Sequence, residues 1–189
     1  MSETIVTPEF RVSYPNLFRP GKPMKPTDEL KYSMACLFPK DAKLKALRNL
    51  RDAKIIETFG SLAAAPKKWN DPLRDQGEKE SMGYEEGSVF INVSSKTKPE
   101  LVDKTGQPII VEADFYAGCY ALAQIKAYWY DKAGNKGVGF GMNSVMKRRD
   151  GEPLDGRMRA AEAFKEFMGD DDDDDDDADD EKDSPFKGG

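Results

Sequence analysis

The segment Tyr116–Lys132 repeats with a period of two, and no other feature of the chain restricts its fold as strongly. Side chains of a β-strand point alternately to opposite faces, so the two faces of this segment can be considered separately. One face carries only small or apolar residues, which are Ala117, Cys119, Ala121, Ala123, Ile125, Ala127 and Trp129. The pattern predicts a long strand, bent at Gly118, whose small residues line a curved core.

Several other segments alternate in the same way and predict a mainly β protein. They are Phe10–Phe18, Leu30–Phe38, Ser88–Ser95, Ile109–Tyr116 and Val138–Met146. Pro15 should stop the first of these strands, Asp103–Gly106 forms a turn, and Asp131–Gly137 predicts a hairpin. About five to six strands joined by local turns, with one substantial helix, predict a small closed or partly closed barrel.

One segment changes from the strand period to the helical one. In Asp41–Gly60 the apolar residues recur at helical spacing, as Leu44, Leu47, Leu50, Ile55 and Phe59. Asp41 can cap the start of this helix and Gly60 can end it. The polar segment Ala63–Gly87, rich in proline and glycine, predicts a long loop, and Arg157–Met168 predicts a short amphipathic helix.

The chain is divided by charge into a body and a tail. The last 20 residues, 170–189, carry 12 acidic and two basic side chains, and eight of the aspartates are consecutive. Residues 1–169 carry 27 basic and 23 acidic side chains. Like charge at this density cannot bury a core, so we expect a folded domain over 1–169 and a disordered acidic tail over 170–189. This asymmetry suggests nucleic acid, or a mimic of it, as a partner.

Histidine and cysteine, which commonly act as metal ligands or catalytic groups, are scarce. The chain has no histidine and only two cysteines, Cys36 and Cys119, each within an alternating segment. We therefore expect two buried free thiols, no metal site, no cofactor and no enzymatic activity. No apolar run is long enough to span a membrane, and the start of the chain lacks the apolar region of a signal peptide, so we expect an intracellular protein without a membrane partner.

The face of Tyr116–Lys132 that points away from the core is unusually rich in tyrosine and lysine. Aromatic rings stack on bases and ammonium groups pair with phosphates in proteins that bind single strands. The long loop adds a tryptophan flanked by lysines. The residues predicted to stack on bases are Trp69, Tyr116, Tyr120, Tyr128 and Tyr130. The alternative is structural, because tyrosines pack in pairs across strands and a tryptophan can anchor a loop.

Basic residues near these rings are the candidate phosphate contacts. They are Lys67, Lys68, Arg74, Lys96, Lys98, Lys126, Lys132, Lys147, Arg148 and Arg149. Those at 96–98 and 147–149 lie at predicted strand ends, where they can border a groove, although each one singly can be an ordinary solvated residue. The alternate glycines at 137, 139 and 141 lack the strand-to-helix context of a phosphate-binding loop. They predict a bend in the strand or the close approach of another backbone.

Four stretches of the sequence together resemble a known family. They are "KKWNDPLRDQGEK", "GSVFINVSSKTKPELVDKTGQPI", "DFYAGCYALAQIKAYWYDKAGNKGVGFGMNSV" and the acidic C-terminus. In these stretches the chain resembles the phage single-stranded-DNA-binding proteins of the DUF2815 class, which are related to the T7-type phage single-strand binding proteins. The resemblance implies an OB-fold, which is a five-stranded Greek-key barrel, with added helices. It also implies binding of single-stranded DNA in phage replication and recombination, in the cytoplasm of the infected bacterial host, without a catalytic residue.

The tail resembles the acidic tips with which single-strand binding proteins recruit replication and recombination proteins. The tip residues that match are Asp183, Pro185 and Phe186, followed here by Lys187-Gly188-Gly189. A pocket that binds a terminal phenylalanine together with the chain's carboxylate would not receive this tip in the same way. The tail carboxylates are also expected to compete with DNA for the basic groove of the body.

Other interpretations remain open from the sequence. The chain can be a protein-interaction module or DNA mimic, in which the acidic tail binds a basic partner and the body does not contact DNA. The tail can also be a solubilising appendage. The oligomeric state, monomer or dimer, is not determined by any of these patterns.

Overall fold

The computed structural model describes residues 3–21, 29–154 and 164–168. These residues belong to two compact units, the first made of 3–21 and 29–154 and the second of 164–168. The second unit contains the short helix α2 (Lys165–Met168), which is the end of the helix predicted over Arg157–Met168. The predicted acidic tail, with Asp183, Pro185 and Phe186, lies outside the described residues.

The first unit is built mainly of β-strands. Its eight strands are β1 (Thr4–Val6), β2 (Phe10–Gly21), β3 (Lys31–Leu37), β4 (Arg74–Asp75), β5 (Val89–Ser95), β6 (Glu100–Val102), β7 (Tyr120–Lys132) and β8 (Asn135–Arg149). Its long helix is α1 (Lys45–Phe59), between β3 and β4. The prediction of a mainly β protein with added helices is confirmed.

Five of the strands pair in a closed circuit. β2 pairs with β3, β3 with β5, and β7 with both β8 and β2, all in antiparallel fashion. β5 pairs with β8 in parallel, which closes the circuit. The three short strands extend it at its margins, because β1 pairs with β7, β4 with β5 and β6 with β8.

The predicted inner face of β7 is buried inside this circuit. Ala121, Ala123, Ile125 and Ala127 are buried, as is Cys119 just before the strand. They pack in one cluster with inward side chains of the other strands, among them Val12, Cys36, Ile91, Val93 and Phe140. Both cysteines are free and buried, as predicted, and burial raises the pKa of the Cys36 thiol well above its ordinary value.

The helix α1 covers one side of the core. Leu47, Leu50 and Ile55 are buried beneath it, and the Phe59 ring meets Trp129 edge to face at 4.9 Å between centroids. The prediction that Asp41 caps the helix is wrong, because Leu44 stands at the N-cap without a side-chain hydrogen bond. Gly60 ends the helix as predicted, at φ +92°, and its N–H donates to the Ile56 carbonyl.

Two strand boundaries differ from the sequence prediction. β2 continues through Pro15 to Gly21, because Tyr14 adopts φ +47° and shifts the register against β3. β7 begins only at Tyr120, since Gly118 lies at φ +115° where the Glu152 backbone approaches. A Cβ at Gly118 would lie 2.8 Å from the carbonyl carbon of Glu152, so this position requires glycine. The strand starts after Gly118 and does not bend at it.

The segment Ile109–Tyr116 is not a strand, contrary to its alternating pattern. Pro108 forms an isolated bridge with Val102, and a short 3₁₀ turn follows at Glu112–Asp114. Ile110 and Val111 are 84% and 57% exposed, whereas Phe115 is buried and Ile109 packs against the core, so burial does not alternate along this segment. The segment meets β6 only at its start, where the Ile109 N–H donates to the Leu101 carbonyl at 3.0 Å, and the residues that follow leave the sheet.

The loop predicted over Ala63–Gly87 joins α1 to β5 and also contains the two-residue strand β4 and a 3₁₀ turn at Gln76–Glu78. One buried glutamine attaches it to the sheet. Gln76 donates from Nε2 to the carbonyls of Phe38 and Val89, both at 2.9 Å, and its Oε1 accepts from the Glu85 N–H at 2.8 Å. The nearby Asp75 carboxylate accepts from two backbone N–H groups, those of Gly77 and Gly87, which lower its pKa. These contacts hold the loop as a wall beside β5.

No helix within 3–21, 29–154 and 164–168 is long and apolar enough to cross a membrane.

Candidate nucleic-acid interface

A groove of about 1600 Å³ crosses the outer face of the strand circuit. Its floor is polar where β3 and β5 pair, because Ser33 stands opposite Ser94 and Asn92 lies two residues before Ser94 on the same face. These residues alternate with the core residues Met34 and Val93, so they point away from the core. The loop before β5 and the end of the β7–β8 hairpin form the walls.

Three of the predicted stacking residues line this groove. Tyr128 and Tyr130 come from β7, with ring centroids 6.3 Å apart and ring planes 53° apart. The Tyr128 ring lies over its cross-strand partner Gly139, where a Cβ would come within 2.7 Å of the ring atom Cε2. Trp69 comes from the loop, so the groove is bordered by rings from two separate parts of the chain.

Asn70 holds Trp69 in place beside the hairpin. The Asn70 N–H donates to the Lys136 carbonyl at 2.8 Å, and the Asn70 carbonyl accepts from the Val138 N–H at 3.2 Å. The Asn70 side chain donates to the Tyr130 hydroxyl at 3.1 Å and to the Asn135 amide oxygen at 2.7 Å. Trp69 also packs against the core cluster, so it anchors the loop and borders the groove at once.

The glycines of β8 allow this arrangement, as the sequence predicted. Gly137 pairs with Asn70 in a parallel bridge, and a Cβ on Gly137 would lie 2.8 Å from the Asn70 nitrogen. Gly139 accommodates the Tyr128 ring in the same way. Larger side chains at these two positions would push the loop and the ring away from the sheet.

The groove has more positive than negative charge. Five basic residues and three acidic residues line it, namely Lys31, Arg74, Lys79, Lys96, Lys132, Glu29, Asp71 and Glu78. Arg74 pairs with Glu78 at 2.6 Å, Lys96 with Glu29 at 3.2 Å, and Asp71 with Arg51, outside the groove, at 2.8 Å. Among the residues that the structure describes, Lys31, Lys79 and Lys132 form no ion pair, so their ammonium groups are available to an anion.

Two predicted stacking residues, Tyr116 and Tyr120, do not line the groove. The Tyr116 hydroxyl donates to the Asp150 carboxylate at 2.9 Å, and its ring lies 5.2 Å from the Lys147 ammonium. Tyr120 lies against Arg149, whose guanidinium carbon is 3.8 Å from the ring centroid. Both rings make contacts within the protein, which agrees with the structural alternative, and their predicted stacking on bases stays a prediction.

The predicted basic cluster at 147–149 is also outside the groove. Lys147 donates to the Asp114 carbonyl at 2.5 Å and to Asp150 at 2.7 Å. Arg149 pairs with Glu9 at 2.9 Å, and Arg148 lies 3.9 Å from the same carboxylate. These side chains contact the carboxylates of Glu9 and Asp150, which lie at strand ends. Glu9 is 140 residues away from Arg149 in the chain, so the sequence pattern does not show this contact.

The other predicted cations occupy different surfaces. Lys98 lies over the Phe18 ring at 5.5 Å, and Lys126 is exposed beside Gly141, and neither lines the groove. Lys67 and Lys68 line a second, smaller recess beside it. Of the predicted phosphate contacts, Arg74, Lys96 and Lys132 are the ones that the fold brings to the groove.

The structure adds groove residues that the sequence prediction did not include. They are Tyr14, Asn16, Lys31, Asn70, Lys79, Tyr84 and Asn92. Lys31 and Asn92 occupy the polar positions of alternating strands, so the face analysis applied to Tyr116–Lys132 would have found them. Tyr14 carries no such signal, because its exposure and its hydrogen bond to Ser81 at 3.0 Å depend on the positive φ of a bulge.

A mainly β domain with an open groove of rings and lysines is typical of proteins that bind single-stranded nucleic acid. This chain belongs to the family described as Enterobacter phage Enc34, ssDNA-binding protein, whose model matches residues 3–178. The resemblance to phage single-stranded-DNA-binding proteins is therefore confirmed, whereas the DUF2815 label stays a prediction.

The chain is also similar to individual proteins and solved structures. The chain is 29% identical over 158 residues to protein p50 of Acyrthosiphon pisum secondary endosymbiont phage 1, over 77% of this chain and 83% of that protein. The single-stranded DNA-binding protein from bacteriophage Enc34, solved in complex with ssDNA, matches at a TM-score of 0.64 and 24% identity, over 80% of this chain and 89% of that one. The gp2.5 single-stranded DNA binding protein of bacteriophage T7 matches at a TM-score of 0.57 and 13% identity, over 88% and 95%.

Proposed function

We propose that this protein binds single-stranded DNA in the groove, without preference for sequence and without catalysing a reaction. The observation that carries the proposal is the groove itself, in which three rings border a polar floor and three of the lining lysines form no ion pair with the described residues; the rings are Trp69, Tyr128 and Tyr130, and the lysines are Lys31, Lys79 and Lys132. Every base has a face that can stack on a ring, and every nucleotide has a phosphate that can pair with an ammonium group. The names of the family and of the Enc34 and T7 structures support the same activity.

The strand circuit fits an OB-fold, which we propose as the architecture. In an OB-fold, five strands form a Greek-key barrel whose outer face binds nucleic acid. Here β2, β3, β5, β7 and β8 supply five strands in a closed circuit, with β5 and β8 parallel. The groove lies on the outer face of this circuit, where such a barrel would bind DNA.

Tryptophan fluorescence tests the binding proposal. The chain has two tryptophans, and Trp69 lines the groove whereas Trp129 packs against Phe59. We expect oligo(dT) to quench the fluorescence of the Trp129→Phe variant saturably, with quenching that weakens as salt rises. The Trp69→Phe variant should lose most of the quenching. If neither protein responds to oligo(dT), and a basic protein partner binds instead, the protein-interaction or DNA-mimic function replaces this one.

We further propose that the acidic tail competes with DNA for the groove and recruits replication and recombination proteins of the phage in the host cytoplasm. Twelve carboxylates in 170–189 can occupy the lysines that phosphates would otherwise pair with. Asp183, Pro185 and Phe186 would then be the residues that a partner protein binds. The charge difference between residues 1–169 and the tail supports the competition.

Removal of residues 170–189 should strengthen binding to oligo(dT) at low salt. The expected gain shrinks as salt rises, because screening weakens the competing carboxylates and the DNA phosphates alike. A suitable control replaces the acidic residues of the tail by serine and asparagine at constant length, which should give the same gain. Equal affinities of the full and truncated chains across the whole salt series would contradict the competition.

A further inference from the structure

A second recess of about 390 Å³ opens beside the groove. It lies between the loop that carries Trp69 and the turn that joins β7 to β8. The lining residues are Lys67, Lys68, Trp69, Asn70, Gly134, Asn135 and Lys136. The turn is tight, because Ala133 and Gly134 both have positive φ, at 52° and 87°, and this geometry brings Asn135 and Lys136 directly to the recess.

The recess and the groove share a wall. Trp69, Asn70 and Asn135 line both of them. Asn70 fixes this wall through the hydrogen bonds to Lys136, Val138, Tyr130 and Asn135 described above. A chain that leaves the groove past Trp69 therefore enters the recess next.

Among the residues that the structure describes, the recess is lined by cations and by no carboxylate. Its three charged residues are all lysines, and none of them forms an ion pair with any residue in the described part of the chain. Lys67 and Lys68 are exposed and Lys136 is half-buried. Asp131 is the cross-strand neighbour of Lys136, but it does not line the recess, and its Oδ1 accepts from the Gly134 N–H at 3.3 Å.

We propose that single-stranded DNA which fills the groove continues past Trp69 into this recess, where its phosphates pair with Lys67, Lys68 and Lys136. The inference rests on the proposed function and adds the path that the DNA takes across the protein. A polyanion is the ligand that three lysines without a carboxylate would bind, and the shared Trp69 supplies a ring on which a base at the crossing can stack. The groove already contains rings and cations, so short strands bind there and only longer ones reach the recess.

The length of the DNA provides the test. The variant Lys67→Gln/Lys68→Gln/Lys136→Gln keeps the side-chain stems and removes the three charges. Each phosphate contact on a single strand contributes about 0.7 to the slope of log affinity against log salt. For oligo(dT) of about 15 nucleotides we expect the slope to fall by about 2, and for about 5 nucleotides we expect no change.

A matched control separates the recess from the total charge of the protein. Lys43, Lys45 and Lys104 are exposed and line neither the groove nor the recess. Their replacement by glutamine removes the same charge and should leave the slope for both oligonucleotides unchanged. If Lys136→Gln disturbs folding, as a melting curve would show, the Lys67→Gln/Lys68→Gln variant should still lower the slope for the longer strand by about 1.

The outcomes distinguish the path from the binding function. If the unaltered protein binds neither oligonucleotide, the proposed function is wrong and this inference with it. If the unaltered protein binds both and the recess variant keeps the full slope on the longer strand, the path is wrong and the function stands. An equal loss on both lengths, or the same loss in the control variant, also overturns the path.

Discussion

Replacement of both Trp69 and Tyr128 by alanine should lower the affinity for oligo(dT) at least about 30-fold. Each ring that stacks on a base contributes about 1–3 kcal/mol, and 1.4 kcal/mol corresponds to a factor of ten. The two rings come from separate parts of the chain and both border the groove, so they can stack on different bases. The loss should be similar for oligonucleotides of different sequence, because stacking does not depend on hydrogen bonds to base edges.

Two further variants separate stacking from a general loss of structure. Trp69→Phe/Tyr128→Phe keeps a flat ring at each position and should retain most of the affinity. Tyr120→Ala removes a ring from the same strand, but that ring lies against Arg149 and outside the groove. It should leave affinity unchanged even where it lowers the melting temperature. Fluorescence anisotropy of labelled oligo(dT) measures all three, and a loss in Tyr120→Ala equal to that in the double alanine variant would contradict the assignment of the site.

The second large effect is expected from a single methyl group on β8. Gly137→Ala would place its Cβ 2.8 Å from both the Asn70 nitrogen and the Asn70 Cβ, and closer still to the Asn70 carbonyl oxygen. Backbone cannot rotate away as a side chain can, so the loop must leave the sheet. Trp69 would move with it, and we expect affinity for oligo(dT) to fall by about 5-fold to 150-fold, as for the loss of one stacked ring.

Gly141→Ala is the matched control on the same strand. A Cβ there would meet its nearest neighbour, Lys126 Cε, at 3.5 Å, which is ordinary van der Waals contact. We expect affinity and melting temperature close to those of the unaltered protein. The decisive measurement is the titration of both variants with oligo(dT) under one salt condition, together with the fluorescence of Trp69 in a Trp129→Phe background. Equal affinity of the two variants would show that the position of the loop does not matter for binding.

The inner face of β7 was predictable because a strand that borders a core repeats its burial every second residue. Ala121, Ala123, Ile125 and Ala127 are buried as the alternation requires. The same reasoning was wrong for Ile109–Tyr116, where the alternation is present but the segment pairs with a neighbouring strand only at its start. A period of two therefore predicts the faces of a strand only where the fold supplies a partner.

Local signals at the ends of elements were less reliable. Gly60 ended α1 as predicted, because a left-handed residue at this position is compatible with glycine and few others. Asp41 did not cap it, and Pro15 did not stop β2, because a bulge at Tyr14 let the strand continue. The bulge at Tyr14 shifts the register of β2 against β3, a partner strand that the local sequence does not contain.

The types of residue in the candidate site were predictable from the sequence, but the part of β7 that the groove covers was not. The sequence assigned stacking roles to tyrosines from Tyr116 to Tyr130, but a strand rises about 3.3 Å per residue, so Tyr120 and Tyr130 lie roughly 33 Å apart. The groove covers only the end of β7 near the hairpin, where Tyr128 and Tyr130 lie. Tyr116, Tyr120 and the cations at 147–149 lie beyond it and contact carboxylates or each other.

The sequence by itself determined the mainly β class, the buried face of β7, the two free thiols and the separation of charge between body and tail. These follow from periodicity and composition, which are properties of consecutive residues. Only the tertiary structure decided which polar residues meet. The pairing of β5 with β8 closes the circuit, and the bridge between Asn70 and Gly137 brings a loop tryptophan beside two tyrosines that follow it by about sixty residues in the chain. Contacts over such separations depend on the register in which strands pair. The alternation of residues within one strand does not show which residues of another strand lie opposite it.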